Sequence, residues 1–359
     1  MVAKTQTKFD IRVVDREHWP KGLSQRMAEI DEASPLAHPF QAETFAALFN
    51  TDPDRPHYAI VAEDAAGLAA YWWGYFARYS DGLIPRSNAW VRSGPVVRVD
   101  LIDQRDRVLS LMLVELKRHL GRQGVGRAVF TSEALYAGTC DGECVAQGLR
   151  RYDLQTYLID LTPPAEELLK SLDQRSRWAS NKGRKNGVSV EDATSDDDVR
   201  AYYRLYMEMG SVPGSGPPSE EQFLRGFRRL RDEEKARIIL ARHDGRIVAG
   251  SFFPYHGGFA AQHQTALSTE GRKLNAGNLL LWESMLSFKN AGIRALDLIS
   301  VEVAPPAGSR DAGVRDFKSR WGGQLLDTPV YLYSSPALRA WKAVMGRIRD
   351  LKRSNCAAA

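Results

Sequence analysis

The chain has 359 residues, 43% of them apolar and 26% charged, with 29 Gly, 17 Pro and three Cys. At roughly 150 residues per domain the length gives a prior of about two domains, and the composition excludes a disordered, collagenous or disulfide-built chain. No window approaches an uncharged apolar run of roughly 18 residues, and the start, Met1 to Lys8, has no apolar signal core, so a cytoplasmic protein without a membrane span is expected. Net charge is +5, but residues 1–160 carry 19 basic and 21 acidic groups whereas residues 161–359 carry 30 and 23. The positive field belongs to the second half. It suits a polyanionic partner, and equally an ordinary solvated surface.

In chain order, Tyr58 to Phe76 reads as strand, polar turn, strand, followed by an amphipathic helix from Arg107 to Leu120 and a strand from Arg127 to Phe130. Between the last two, Gly121 to Gly126 follows a helix and precedes a strand, the reverse of a phosphate loop, so it is read as a turn. Cys140-Asp-Gly-Glu-Cys144 has no second pair, and no metal is expected. Tyr157 to Leu161 reads as a strand, with Thr162 as a helix cap and Pro163 at the first helical position. The domain boundary is placed near residue 160.

Arg175 to Gly187 carries five basic residues and no acidic one. On a helix, Arg175, Trp178, Lys182 and Lys185 share one face, and Arg177, Asn181 and Arg184 another. The segment is either a phosphate-binding surface or a helix end whose cations answer the macrodipole while Trp178 packs inward. Gly210 to Ser219 is a connection rich in Gly and Pro. Arg237 to Phe253 repeats the earlier hairpin, with Asp244-Gly245 accepting the positive φ of a tight turn. His256 and His263 flank a glycine-rich turn, each either a general base or a packed histidine. A helix from Asn278 to Ala291, its stripe Leu279, Trp282, Met285 and Leu286, ends at Gly292, and Ala295 to Ile299 is the next strand. Finally, Phe317 and Trp321 can anchor a helix that holds Arg315 and Lys318 on a neighbouring face. A cation so fixed is either an oxyanion stabiliser or an ordinary surface lysine. Strands followed by a helix, twice in similar order, imply an α/β (α+β) chain of two related halves, 1–160 and 161–359, the second carrying the basic helix and a helical tail.

These pieces resemble the Fem family of aminoacyl-tRNA-dependent peptidyltransferases. The resemblance rests on Ser93-Gly-Pro-Val96; on Tyr157-Leu-Ile-Asp-Leu161 with Glu166, Glu167 and Leu168 and then Arg177 to Val190; on Asn278 to Trp282 running to Gly292 with Leu296-Asp297; and on Phe317-Lys318 with Gly322-Gly323. It implies two tandem GNAT-like acyltransferase domains, each a mixed central sheet flanked by helices, and transfer of an aminoacyl group from charged tRNA to an amine. By carry-over Lys318 holds the tetrahedral oxyanion; from the histidine pair itself, His263 is the candidate proton acceptor. Arg315, Asp297, Phe317, Tyr255 and Asn278 are the expected substrate contacts, and Arg175, Arg177, Lys182, Arg184 and Lys185 the expected tRNA contacts. Aminoacyl-tRNA is the co-substrate, with no cofactor, membrane or obligate protein partner. The stretches His38 to Asn50 and Tyr206 to Gly214 lack the basic residue of wall-precursor enzymes, and the helical-hairpin insertion of some members is missing. A small amine or peptide acceptor, as in secondary-metabolite (antibiotic) tailoring, therefore fits better than a cell-wall bridge. An acyl-coenzyme-A donor and a non-catalytic tRNA-binding module are the alternatives.

Overall fold

The computed structural model describes residues 7–34, 38–48, 57–81, 84–91, 94–131, 141–209 and 219–341. The connection at 210–218, Cys140, Ser93 and the tail beyond residue 341 lie outside them. The first sheet begins with β1 (Asp10–Asp15), β2 (His57–Asp64), β3 (Gly67–Asp81), β4 (Ile84–Val91), β5 (Val96–Val97), β6 (Arg127–Thr131) and β7 (Arg150–Tyr152). The second holds β8 (Leu154–Asp160), β9 (Ser189–Asp192), β10 (Ala236–His243), β11 (Arg246–His256), β12 (Phe259–Ala261), β13 (His263–Leu267), β14 (Ala295–Asp297), β15 (Val301–Glu302) and β16 (Gln324–Asp327). The last strand, β17 (Val330–Ser334), returns to the first sheet between β6 and β7. By sheet membership the chain changes over between Tyr152 and Leu154, ahead of the boundary expected near residue 160, and its end goes back to the first half.

The helices are α1 (Leu23–Ala33), α2 (Arg105–Arg122), α3 (Asp141–Ala146), α4 (Ala165–Ser171), α5 (Gln174–Lys185), α6 (Asp196–Glu208), α7 (Glu220–Asp232), α8 (Thr269–Lys273), α9 (Ala276–Asn290) and α10 (Arg310–Ser319). Each half carries one parallel strand pair, Asn88 with Arg127 in the first and Phe259 with Ala295 in the second. Parallel neighbours need a crossover connection, and α2 and α9 supply it. The hairpins form as the turn residues predict, with Asp244 at φ 48° and Gly245 at φ 75°.

One helix start differs from expectation. Pro164, not Thr162, precedes α4, and the Thr162 hydroxyl and N–H both donate to Asp160 Oδ1. The residue before a proline is pushed to extended backbone, so Pro163-Pro164 delays the helix. Helix α9 also buries more than one stripe, because α5 covers its outer side. Ser176, Ala179, Ser180 and Gly183 of α5 face that contact, and a Cβ on Gly183 would lie 3.1 Å from Asn275 O and Leu279 Cβ. Trp178 is therefore left outside at 59% exposure, which excludes the reading that packs it inward.

Two cores lie inside the halves and a third joins them. In the joining core Met27, Phe45, Tyr71 and Trp73 of the first half meet Tyr202, Phe223, Phe227 and Phe252 of the second. Among the described residues no helix is long and apolar enough to cross a membrane.

Candidate functional site

The parallel pair of β12 and β14 keeps register through Ala261 and Asp297 and then parts. The last rung is the Gln262 N–H donating to Asp297 O at 2.8 Å. Beyond it β13 pairs with β11, with an irregularity at Ser251/Phe252, while β15 pairs with β8. Residues on both diverging arms sit in the left-handed region, Gln264 at φ 54° and Ile299 at φ 62°. A β-branched residue such as isoleucine rarely adopts that conformation, and backbone strain of this kind collects at functional sites.

Strained Ile299 joins two charged groups. Its N–H donates to Asp297 Oδ1 at 2.7 Å, and its carbonyl accepts from Lys318 Nζ at 3.2 Å. The Ser300 carbonyl lies 3.5 Å from the same ammonium. Phe317, tilted against buried Trp321 with ring centroids 5.8 Å apart, anchors the last turn of α10 that carries the lysine. Burial lowers the Lys318 pKa to about 8 against the opposing pull of Asp297. Asp297 is itself buried, yet its pKa lies below the ordinary carboxylate value although burial opposes this, because His38, the Thr156 hydroxyl and the Ile299 N–H surround it.

Of the expected substrate contacts, Lys318, Asp297 and Phe317 come together here. Arg315 is close by, with its guanidinium donating to Glu302 O at 2.7 Å and Gln155 Oε1 at 2.9 Å, so it braces α10 on β15 and β8. Tyr255 and Asn278 are not brought to this point. Tyr255 lies on the helix side of β11, 5.9 Å from the Phe288 ring, because strand side chains alternate faces. Asn278 meets α5 instead, its carbonyl accepting from the Ser180 hydroxyl. His263 opens β13 where the strands part, among the rings of Phe40, Phe45 and Phe252 at 5.3, 6.0 and 5.9 Å. His256, the other histidine of the pair, is buried beside Lys235 at 3.2 Å, and burial together with that cation pushes its pKa down to about 4.

The basic helix begins next to the lysine helix. Asp173, which caps α5, donates its N–H to Arg320 O at 2.9 Å, just past the end of α10. Arg175, Lys182 and Lys185 lie exposed on α5, with Lys182 4.6 Å from the centroid of the exposed Trp178 ring, while Arg177 is half-buried and donates to Lys170 O at 3.3 Å. Arg184 is paired with Glu283 of α9 at 2.5 Å, and Arg175 more loosely with Asp173 at 3.9 Å.

Several polar residues at the junction of the halves carry no sequence signal. His38, Asp31, Tyr71 and Glu43 come from the first half, and Thr156 and Lys235 from the second. The Tyr71 hydroxyl donates to Asp31, and burial raises the Asp31 pKa to about 8. A lone histidine or aspartate in an irregular or helical stretch has no spacing to mark it; only the fold brings these groups together. Among the described residues no group of His, Cys, Asp and Glu side chains could hold a metal ion.

Residues 170–318 match a family model described as an acetyltransferase (GNAT) domain. No curated protein matches the chain. Among solved structures, the chain is similar to FemX at 14% identity and a TM-score of 0.68, covering 90% of this chain and 97% of that one. It is also similar to the C-terminal (DUF2156) domain of a putative lysylphosphatidylglycerol synthetase from Agrobacterium fabrum, at 16% identity and TM-score 0.56, over 90% of this chain and 94% of that one. A tandem GNAT protein from the clavulanic acid biosynthesis pathway matches at 14% identity and TM-score 0.56, over 90% and 98%. With residues 170–318 matching the GNAT model and 90% of the chain sharing the fold of FemX and of a tandem GNAT protein, the chain has a tandem GNAT fold.

Proposed function

We propose that the protein transfers an aminoacyl group from aminoacyl-tRNA to the amine of a small molecule or peptide, in secondary-metabolite tailoring. The amine nitrogen attacks the ester carbonyl, the Lys318 ammonium holds the oxyanion, and the ester C–O bond then breaks so that the ribose hydroxyl leaves. In this reading His263 takes the proton that the amine loses and returns it to the departing ribose oxygen. An ester already activated by the ribose needs positioning and charge stabilisation more than an enzyme nucleophile.

The observation that carries the reading is a desolvated lysine held on two backbone carbonyls where the strands part, one hydrogen bond away from the start of an exposed basic helix. Arg175, Arg177, Lys182 and Lys185 of that helix would hold phosphates, with Trp178 as a stacking surface. Arg184 has its carboxylate partner in Glu283 and would contribute less. The neighbours named for lysylphosphatidylglycerol synthesis and for clavulanic acid biosynthesis lend support to aminoacyl and secondary-metabolite chemistry respectively.

The test mixes the purified protein with charged tRNAs and candidate amines and identifies amide products by mass spectrometry. Lys318→Met should lower kcat by about 10²–10³, the usual cost of losing one oxyanion donor, with little change in KM for tRNA. Activity kept within a few-fold would remove the role given to Lys318. The ammonium is the working form, so the rate should fall as pH rises through about 8. A second reading, with an acyl-coenzyme-A donor, is favoured by the acetyltransferase description of residues 170–318. Thermal stabilisation by acetyl-coenzyme A and not by charged tRNA would select it.

A further inference from the structure

We infer that His38, supplied by the first half of the chain, is a positioning residue that acts through Asp297 and Ile299 to hold the Lys318 ammonium at the site. The inference rests on the reading of Lys318 as the oxyanion-holding cation.

The geometry runs through a single line of contacts. His38 Nε2 lies 3.3 Å from Asp297 Oδ2, and both side chains are almost fully buried, at 1% and 2% exposure. His38 Nδ1 accepts from the Phe40 N–H at 3.3 Å, so the imidazole proton sits on Nε2, facing the carboxylate. A tight turn fixes the ring: the Gln41 N–H donates to His38 O at 2.8 Å, and the His38 N–H donates to Gln41 Oε1 at 2.8 Å. The other oxygen of Asp297 accepts from Thr156 and from the Ile299 N–H. That last bond keeps Ile299 in its strained left-handed conformation, the one in which its carbonyl meets Lys318.

Asp297 is thus clamped from three sides, and the lysine is seated by the residue it clamps. One clamp comes from the other half, so the site is complete only when the halves are docked. The titratable groups around this line are Asp297 and Lys318 themselves, His256 from β11, electrostatically coupled to His38, and His263, which shares Phe40 with it.

The test compares His38→Met, which fills the space without a donor, with His38→Gln, whose amide N–H can reach the same oxygen. Competitive acylation by acetic anhydride, read by mass spectrometry, reports Lys318 against the exposed Lys185 without any substrate. At pH 7 His38→Met should raise relative Lys318 labelling threefold or more, and His38→Gln should return it to within twofold of wild type. Asp297→Asn should likewise raise relative Lys318 labelling, because the carboxylate that holds the Ile299 N–H is lost. Equal labelling of Lys318 in wild type, His38→Met and His38→Gln overturns the inference. If His38→Met does not fold, Thr156→Val, which strips the other oxygen of Asp297, takes its place with the same expectation. In amide synthesis His38→Met should lower kcat tenfold or more with KM for charged tRNA within threefold. Absence of amide product in wild type would end the aminoacyl-transfer reading, and the labelling comparison would still decide the role of His38.

Discussion

Asp31 and Lys318 show how burial sets charge at single residues. Moving an ionised group out of water disfavours its charged form, which raises a carboxyl pKa and lowers an amine pKa. For Asp31 the shift is from 3.8 to about 8, so at neutral pH the folded chain holds a proton that the unfolded chain has lost. Below pH 3.8 both states hold it, and between there and about 8 stability falls as pH rises. Asp31→Asn keeps an oxygen acceptor for the Tyr71 hydroxyl and has no proton to retain. It should therefore raise Tm at pH 7 by about 2 °C or more and change it little near pH 4, as scanning calorimetry at the two pH values would show. A lower Tm at pH 7 would mean that the group is ionised in the folded protein. None of this is visible in Met27 to Ala33 as a sequence, where Asp31 is one polar residue in an amphipathic helix.

Helix α5 carries its chemistry on one side because its other side is made of small residues. Ser176, Ala179, Ser180 and Gly183 recur at helical spacing and let the helix approach α9 closely, which leaves Trp178 and all the cations but half-buried Arg177 in solvent. The five basic residues were plain in the sequence. Which face they occupy was not, because a stripe of small residues without apolar bulk gives almost no amphipathic signal. Gly183→Val places branched carbons where a Cβ already meets Asn275 O and Leu279 Cβ at 3.1 Å. Overpacking of this kind costs about 1–3 kcal/mol. Chemical denaturation should show that loss, and the tRNA affinity proposed for α5 should fall with it as the helix tilts away from α10. Unchanged stability would mean that the two helices separate freely.

Among the described residues, two extensive contacts tie the molecule together across the midpoint of the chain. The joining core brings Phe45 and Trp73 against Phe223, Phe227 and Phe252. Strand β17 carries the end of the chain back between β6 and β7, pairing Tyr331 with Phe130 and with Arg151. Removing the residues from Val330 onward should unfold the first half as well as shorten the second, because β6 and β7 lose their shared partner and Tyr331 leaves the core. Limited proteolysis of the truncated chain should then cut within residues 57–131, while the same sites stay protected in the full chain. Equal protection in both would show that the first sheet closes without β17. The docking that β17 and the joining core enforce is also what brings His38 to Asp297.

Hairpins, crossover helices, the basic segment and the Phe317-Lys318 anchor were legible in the sequence because each is written in consecutive residues. Turn glycines, helical spacing and alternating strands are local constraints on the backbone, and they specify two similar α/β halves. The return of β17, the outward turn of Trp178 and the clamp on Asp297 were decided by the tertiary structure alone. Thr156 and Asp297 stand 141 residues apart, and His38 is more distant still. Such pairs leave no periodicity, since what selects them is the packing of sheets against one another and the need of each buried polar group for a partner.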